Sequence, residues 1–248
     1  MLYKDDLRRM LSSPKIYVSY VVALAILLRP LFNTLKYGRN LSFIYLQSLP
    51  FGLSDYSPFA AIFCVFPFAD SFCEDYNSGY SNAIALRIGT KKYAWQRAIS
   101  TAFSGGFCTG FTVFTVLVVC YISATVPDDA DSIMYMHYTI WDKMDLLLRY
   151  NGIFFAVGRV LAAFLFGSLW ALVGLCVSTV VTNKYVTLIA PFVLYQILWL
   201  LLKGAFNPVQ VLTGDSAPSI AFLVGYPLTQ IAMCCIFSAL GIQKKVRL

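Results

Sequence analysis

The chain has little charge and little of the chemistry that charge supports. Only 12% of its 248 residues are Asp, Glu, Lys or Arg, whereas soluble domains run nearer a quarter, so a soluble globular fold is excluded. There is one histidine, His137, and one glutamate, Glu74. No HExxH, no histidine pair and no CxxC occurs, which removes zinc proteases and most metal sites. GxxxxGK[ST] is absent as well, so the chain has no P-loop for a nucleotide. It also lacks a basic run interleaved with aromatics, and nucleic acid is set aside as a partner. Intramembrane hydrolysis fails on the same scarcity. Ser104 precedes Gly105-Gly106, but a serine nucleophile needs a base at its own depth and no histidine is available there.

What is present is apolar. Hydrophobic residues make up 59% and aromatics 16%, with a mean hydropathy of +0.70. Such a chain is neither disordered nor a disulfide scaffold: its 7 cysteines are scattered through apolar stretches and act as small packing groups. A helix needs about 20 apolar residues to cross the hydrocarbon core. Six stretches approach that length, at about residues 16–32, 57–72, 99–124, 153–181, 185–202 and 220–242. The expectation is an all-α membrane protein with six transmembrane helices in a single transmembrane domain, 1–248. The first span is expected to be short, because Arg29 can snorkel outward and Pro30 is expected to end the helix.

The first fifteen residues carry Asp5 and Asp6 beside Lys4, Arg8, Arg9 and Lys15, and no small-residue cleavage site follows the first span, so a cleavable signal peptide is not expected. On a helical wheel Leu7, Met10 and Leu11 share one face while Arg8 and Arg9 point elsewhere, the pattern of an amphipathic helix in the headgroup plane. Orientation follows from the basic residues. With the N-terminus inside, Lys4, Arg8, Arg9, Lys15, Arg87, Lys91, Lys92, Arg97, Lys184, Lys244, Lys245 and Arg247 are cytoplasmic, twelve of the nineteen. The positive-inside rule therefore predicts a multi-pass protein of the cell membrane with both termini cytoplasmic.

The connections are unequal. An acidic, aromatic outer loop at about 125–152 and an apolar stretch at 41–49 are expected to pack against the outer face, and Asn207-Pro208 and Gly214-Asp215 bring turn chemistry to the last outer loop. Gly106 and Gly110 in the third span, and Ala163, Gly167 and Ala171 in the fourth, recur at four-residue spacing. Small faces allow close helix packing in lipid, within the chain or between copies. Arg29, Asp70 and Arg159 are the charged groups nearest the apolar spans, and each is a pathway candidate or a residue that snorkels to the interface.

The most informative segment joins the second and third spans. It places Glu74-Asp75 at the membrane exit, then Gly79, an apolar stretch at 83–88, and a basic run of Arg87, Lys91, Lys92 and Arg97 with Tyr93 among them. A positive-inside anchor explains the bases but not the acids, the glycine or the apolar helix between them. On these residues the chain resembles the permease subunits of ABC-2 type ABC transporters, the short bacterial six-span kind that pairs with a separate ATPase. One departure is Arg97, where the family often has Lys.

The resemblance implies that the loop between spans 2 and 3 holds a coupling helix docking on an ABC ATPase subunit, through Glu74, Asp75, Gly79, Arg87, Lys91, Lys92, Tyr93 and Arg97. It implies an interfacial helix around Leu7, Arg8, Arg9, Met10 and Leu11, a second permease copy (identical or related), no cofactor in this chain, and ATP and Mg in the partner. Export of an amphipathic or hydrophobic peptide, drug or lipid-like cargo is the expected activity, with no catalysis by this chain. A stand-alone immunity factor or a secondary transporter is the rival expectation. Secondary carriers usually hold charged sites near the midplane, where this chain has almost no acid.

Overall fold

The structure, a computed structural model, describes residues 2–36, 41–52, 54, 56–125, 152–203, 206–213 and 220–246. Expectations for the acidic outer loop, for Gly214-Asp215, for Arg247 and for the side chain of Leu7 fall outside the described residues. Eleven helices occur among the described residues: α1 Leu2–Ser12, α2 Pro14–Leu35, α3 Phe43–Gly52, α4 Tyr56–Val65, α5 Ser71–Asn77, α6 Tyr80–Ile88, α7 Thr90–Ser123, α8 Gly152–Val180, α9 Lys184–Leu201, α10 Pro208–Thr213 and α11 Ile220–Val246. Five of them, α2, α7, α8, α9 and α11, are long and apolar enough to cross a membrane. The architecture is that of an all-helical, multi-pass membrane protein.

The stretch expected to be a second span is not one helix. Helix α4 stops at Val65, a turn covers 66–70, and α5 begins at Ser71. Pro67 explains the break: it has no N–H to offer the Phe63 carbonyl four residues back. Ser19 of α2 supplies the missing donor, its hydroxyl lying 2.8 Å from Phe63 O. The proline therefore converts a local bond into a tie between two helices.

Pro30, by contrast, does not end α2, which continues to Leu35. One bond is lost there, and Thr34 returns its hydroxyl to the Pro30 carbonyl at 3.0 Å. The α2 start is capped by Ser13, whose Oγ accepts from Lys15 N, with Pro14 as the first helical residue. Arg29 is exposed on α2, as a snorkelling side chain would be.

Helices α7 and α8 make the most extensive contact in the molecule; α11 packs on both, α2 against α7, and α4 and α9 against α8. The small residues set this seam. A Cβ on Gly105 would lie 2.5 Å from Ala171 Cβ and 2.5 Å from the Gly167 carbonyl, and one on Gly167 would overlap Thr109 Oγ1. Gly106 and Gly110 face Phe164 in the same seam. Of the two readings open from sequence, contact within the chain is the one these glycines make. Thr109 spans the seam, donating to Ala163 O at 2.9 Å; such interhelical bonds contribute about 0.6 kcal/mol in membranes.

Candidate functional site

The segment between the fourth helix and the long α7 is helical almost throughout, not a loop. Two glycines divide it. Gly79 (φ +74°) ends α5 and Gly89 (φ +87°) ends α6, both in a backbone region that side chains disfavour. With no strong breaker between Thr90 and Arg97, α7 begins nine residues before the expected span, so the basic run is a helical extension of the bundle. Helix α6 is thus a short rigid element with a reversal at each end.

Its inner face holds Ser81 and Ala85, both buried, while Ile84 and Ile88 pack into a cluster with Tyr93, Ala94, Ile242 and Val246. The outer face carries Leu86, 89% exposed, with Tyr80, Ala83 and Arg87 also exposed. Lys91 and Lys92 extend this exposed surface at the start of α7.

Behind α6 lies a network of ion pairs. Asp75 on α5 is 2% exposed and binds Arg97 of α7, itself 1% exposed. Asp75 also takes Arg9 of α1 at 2.6 Å and lies 3.4 Å from the Tyr93 hydroxyl. Lys15 bridges Asp70 at 2.6 Å and Glu74 at 3.0 Å. Arg9 reaches Glu74 at 3.5 Å, and Asp6 faces Arg97 at 3.7 Å while accepting from Gln96 at 3.0 Å. Arg97 further stacks over the Phe68 and Tyr93 rings, 5.4 and 5.6 Å from their centroids. Desolvating such charges is costly, and only this density of partners offsets it.

Four carboxylates and three cations from α1, α2, α5 and α7, with Asp70 just before α5, therefore form one cluster. A cleft of about 830 Å³ opens beside it, lined by Asp6, Arg9, Glu74, Asp75, Tyr80 and Ile84. On its far side α5 is fixed to the α8–α9 turn, where Asn77 donates to Thr182 O at 3.1 Å and Cys73 meets Thr187 at 3.3 Å. Cys73 is fully buried against Thr187 and acts as a packing group.

Of the residues expected in the coupling segment, Glu74, Asp75, Tyr93 and Arg97 meet, and Arg9 joins them. Arg87, Lys91, Lys92 and Arg8 do not: all four point to the surface. Asp70, offered from sequence as a pathway or interface charge, is buried in this cluster through Lys15. Lys15, Asp6 and Gln96 were not singled out from the sequence, although the acids of the N-terminal segment were visible. Met10 also departs from expectation. It is buried with Ile16, Phe68 and Cys108, because the pairing of Asp6 and Arg9 turns that side of α1 toward the bundle, while Leu11 stays exposed.

At the other end of the bundle Arg159 of α8 is 4% exposed. Its Nη1 donates to the Gln47 carbonyl of α3 at 2.6 Å and its guanidinium lies 4.9 Å from the Phe51 ring centroid. It is a buried anchor for α3, not a residue that snorkels. Among the described residues no group of three or more His, Cys, Asp or Glu could hold a metal ion. No family model, curated protein or solved structure matches the chain.

Proposed function

We propose that the chain is the membrane permease subunit of an ATP-driven exporter, with α6 as the element that receives force from a separate ATPase. The observation that carries this reading is the exposed apolar face of Leu86, Tyr80 and Ala83 on a helix whose opposite face is held by α5, α7 and α11. The run of exposed apolar side chains on α7 that suits the hydrocarbon begins at Ile99, with exposed Trp95 one turn before it at headgroup height. Residues 90–98 then project roughly 13 Å beyond the hydrocarbon, and the headgroup layer is only about 5–8 Å deep. On this reading Leu86, three residues before the Gly89 reversal from which α7 starts and on the side of α6 away from the bundle, stands past that layer. With Tyr80 and Ala83 it makes an exposed apolar face, which suits a protein cover.

The cluster behind α6 suits transmission of a push. Displacing α6 moves α5 through Gly79, and α5 is joined by ion pairs to α1, α2 and α7 and by hydrogen bonds to the α8–α9 turn. The broken stretch from α4 through α5 serves as the sixth crossing, and both termini lie on the cytoplasmic side of the cell membrane, as the basic residues require. Two permease copies, identical or related, would form the path, and the ATPases would hold ATP and Mg. Its apolar, aromatic spans suit an amphipathic peptide, drug or lipid-like cargo.

The test is affinity purification of the full chain from its native membrane, comparing wild type with Leu86→Asp and with the Glu74→Gln/Asp75→Asn double variant. Wild type should bring down a P-loop ATPase in stoichiometric amount. Leu86→Asp should lose it; the double variant should keep the ATPase and lose export. A wild-type chain that exports cargo with no ATPase bound would overturn the proposal in favour of a stand-alone carrier.

A further inference from the structure

The chain has a second exposed basic group at a different height, and it invites a different ligand. We propose that Lys184, Lys244 and Lys245 form a binding site for the phosphate of an anionic phospholipid headgroup, built around the turn between α8 and α9. Lys245 of α11 donates to the Val180 carbonyl at 3.2 Å and lies 5.4 Å from the Tyr76 ring centroid. Lys184, at the start of α9, sits 5.2 Å from the Tyr185 ring centroid. The turn they flank is pinned from below by Asn77, which donates to Thr182 O. Lys244 is exposed beside Lys245.

Lys245 thus reaches the turn, Lys184 stands at its exit and Lys244 follows on the exposed surface of α11, and no ion pair links any of them to a carboxylate among the described residues. The acids on the neighbouring element are already engaged: Asp70 and Glu74 with Lys15, Asp75 with Arg9 and Arg97. The height of the site selects lipid over a soluble anion. Val180 is 78% exposed, and Val181, Tyr185 and Val186 beside it are also exposed, a valine and tyrosine surface that suits the edge of the hydrocarbon. Tyrosine rings belong at that boundary and lysines reach the headgroups from it. Arg87, Lys91 and Lys92 stand too far beyond the membrane edge for the same ligand.

The experiment is native mass spectrometry of the full chain purified in mixed phosphatidylglycerol and phosphatidylcholine. Wild type should retain phosphatidylglycerol preferentially. Lys184→Gln/Lys244→Gln/Lys245→Gln should lower that retention by about fivefold or more, given the strength of a lysine near an anionic surface. Arg87→Gln/Lys91→Gln/Lys92→Gln, with the same charge removed, should leave it unchanged, and arginine at the three lysine positions should preserve it. Lys184→Gln/Lys244→Gln keeps the Lys245 contact to Val180 and must move retention the same way, which guards against misfolding of the triple variant. Equal retention by wild type and the lysine variants, or equal loss in both triples, would overturn the site. Displacement of the lipid by millimolar inorganic phosphate would overturn lipid as its ligand.

Discussion

Two arginines are buried among the described residues of this bundle, and they are held differently. Arg97, on α7 at the end of the bundle that holds α1, is surrounded by carboxylates, the Ser71 hydroxyl and the Tyr93 ring. Arg159, on α8 at the other end, donates to a neutral backbone carbonyl and lies over a phenylalanine ring. The contrast separates two uses of a buried cation. Around Arg97 the charges of four chain segments depend on one another, so any displacement of α5 is felt at α1, α2 and α7. Arg159 fastens α3 to α8.

The sharpest way to break this comparison is at Asp75. Asp75→Asn leaves Arg97 charged, buried and short of a partner, and should destabilise the protein by about 3–5 kcal/mol. Replacing the pair together, Asp75→Leu with Arg97→Leu, should recover most of that in denaturant unfolding while abolishing export. Gly167→Val comes next, because the α7–α8 seam carries both arginines: its added carbons meet Thr109 and the Gly105 carbonyl, and overpacking of this kind costs about 1–3 kcal/mol. It should also loosen both ends, seen as faster amide exchange near Arg97 and near Arg159.

Arg159→Met keeps the volume and loses the bond to Gln47 O and the ring contact, for about 1–2 kcal/mol. Its effect should stay local, with α3 protected less from exchange and the ion-pair cluster around Arg97 unchanged. Glu74→Gln should be the mildest. The side chain is 45% exposed, and exposed ion pairs contribute about 0–1 kcal/mol. Thermal unfolding in detergent ranks all four.

Much of the bundle was legible because apolar runs are long and charges mark their ends; α2, α8, α9 and α11 lie close to the expected spans. Glu74, Asp75 and Arg97 stood out because acids are so few. The pairing itself was not legible. Lys15 meets Asp70 across 55 residues and Asp6 meets Gln96 across 90, separations at which no periodic pattern links two positions. Pro67 misled for a physical reason: apolar composition continues across it, so the run reads as a span, although the backbone cannot close its bond there. Pro30 misled in the other direction, since a helix can lose one bond and continue when its neighbours hold it. Met10 went astray because the wheel of α1 reports which residues share a face, not whether that face meets lipid or protein.

The central claim is that Leu86 is covered by an ATPase. A photoreactive amino acid placed at position 86 of the full chain, activated in intact membranes, tests it directly. The account predicts one dominant protein adduct, a P-loop ATPase, lost when the same group is placed at Tyr121 on the lipid-facing part of α7. Adducts with lipid at position 86, or none, would contradict it.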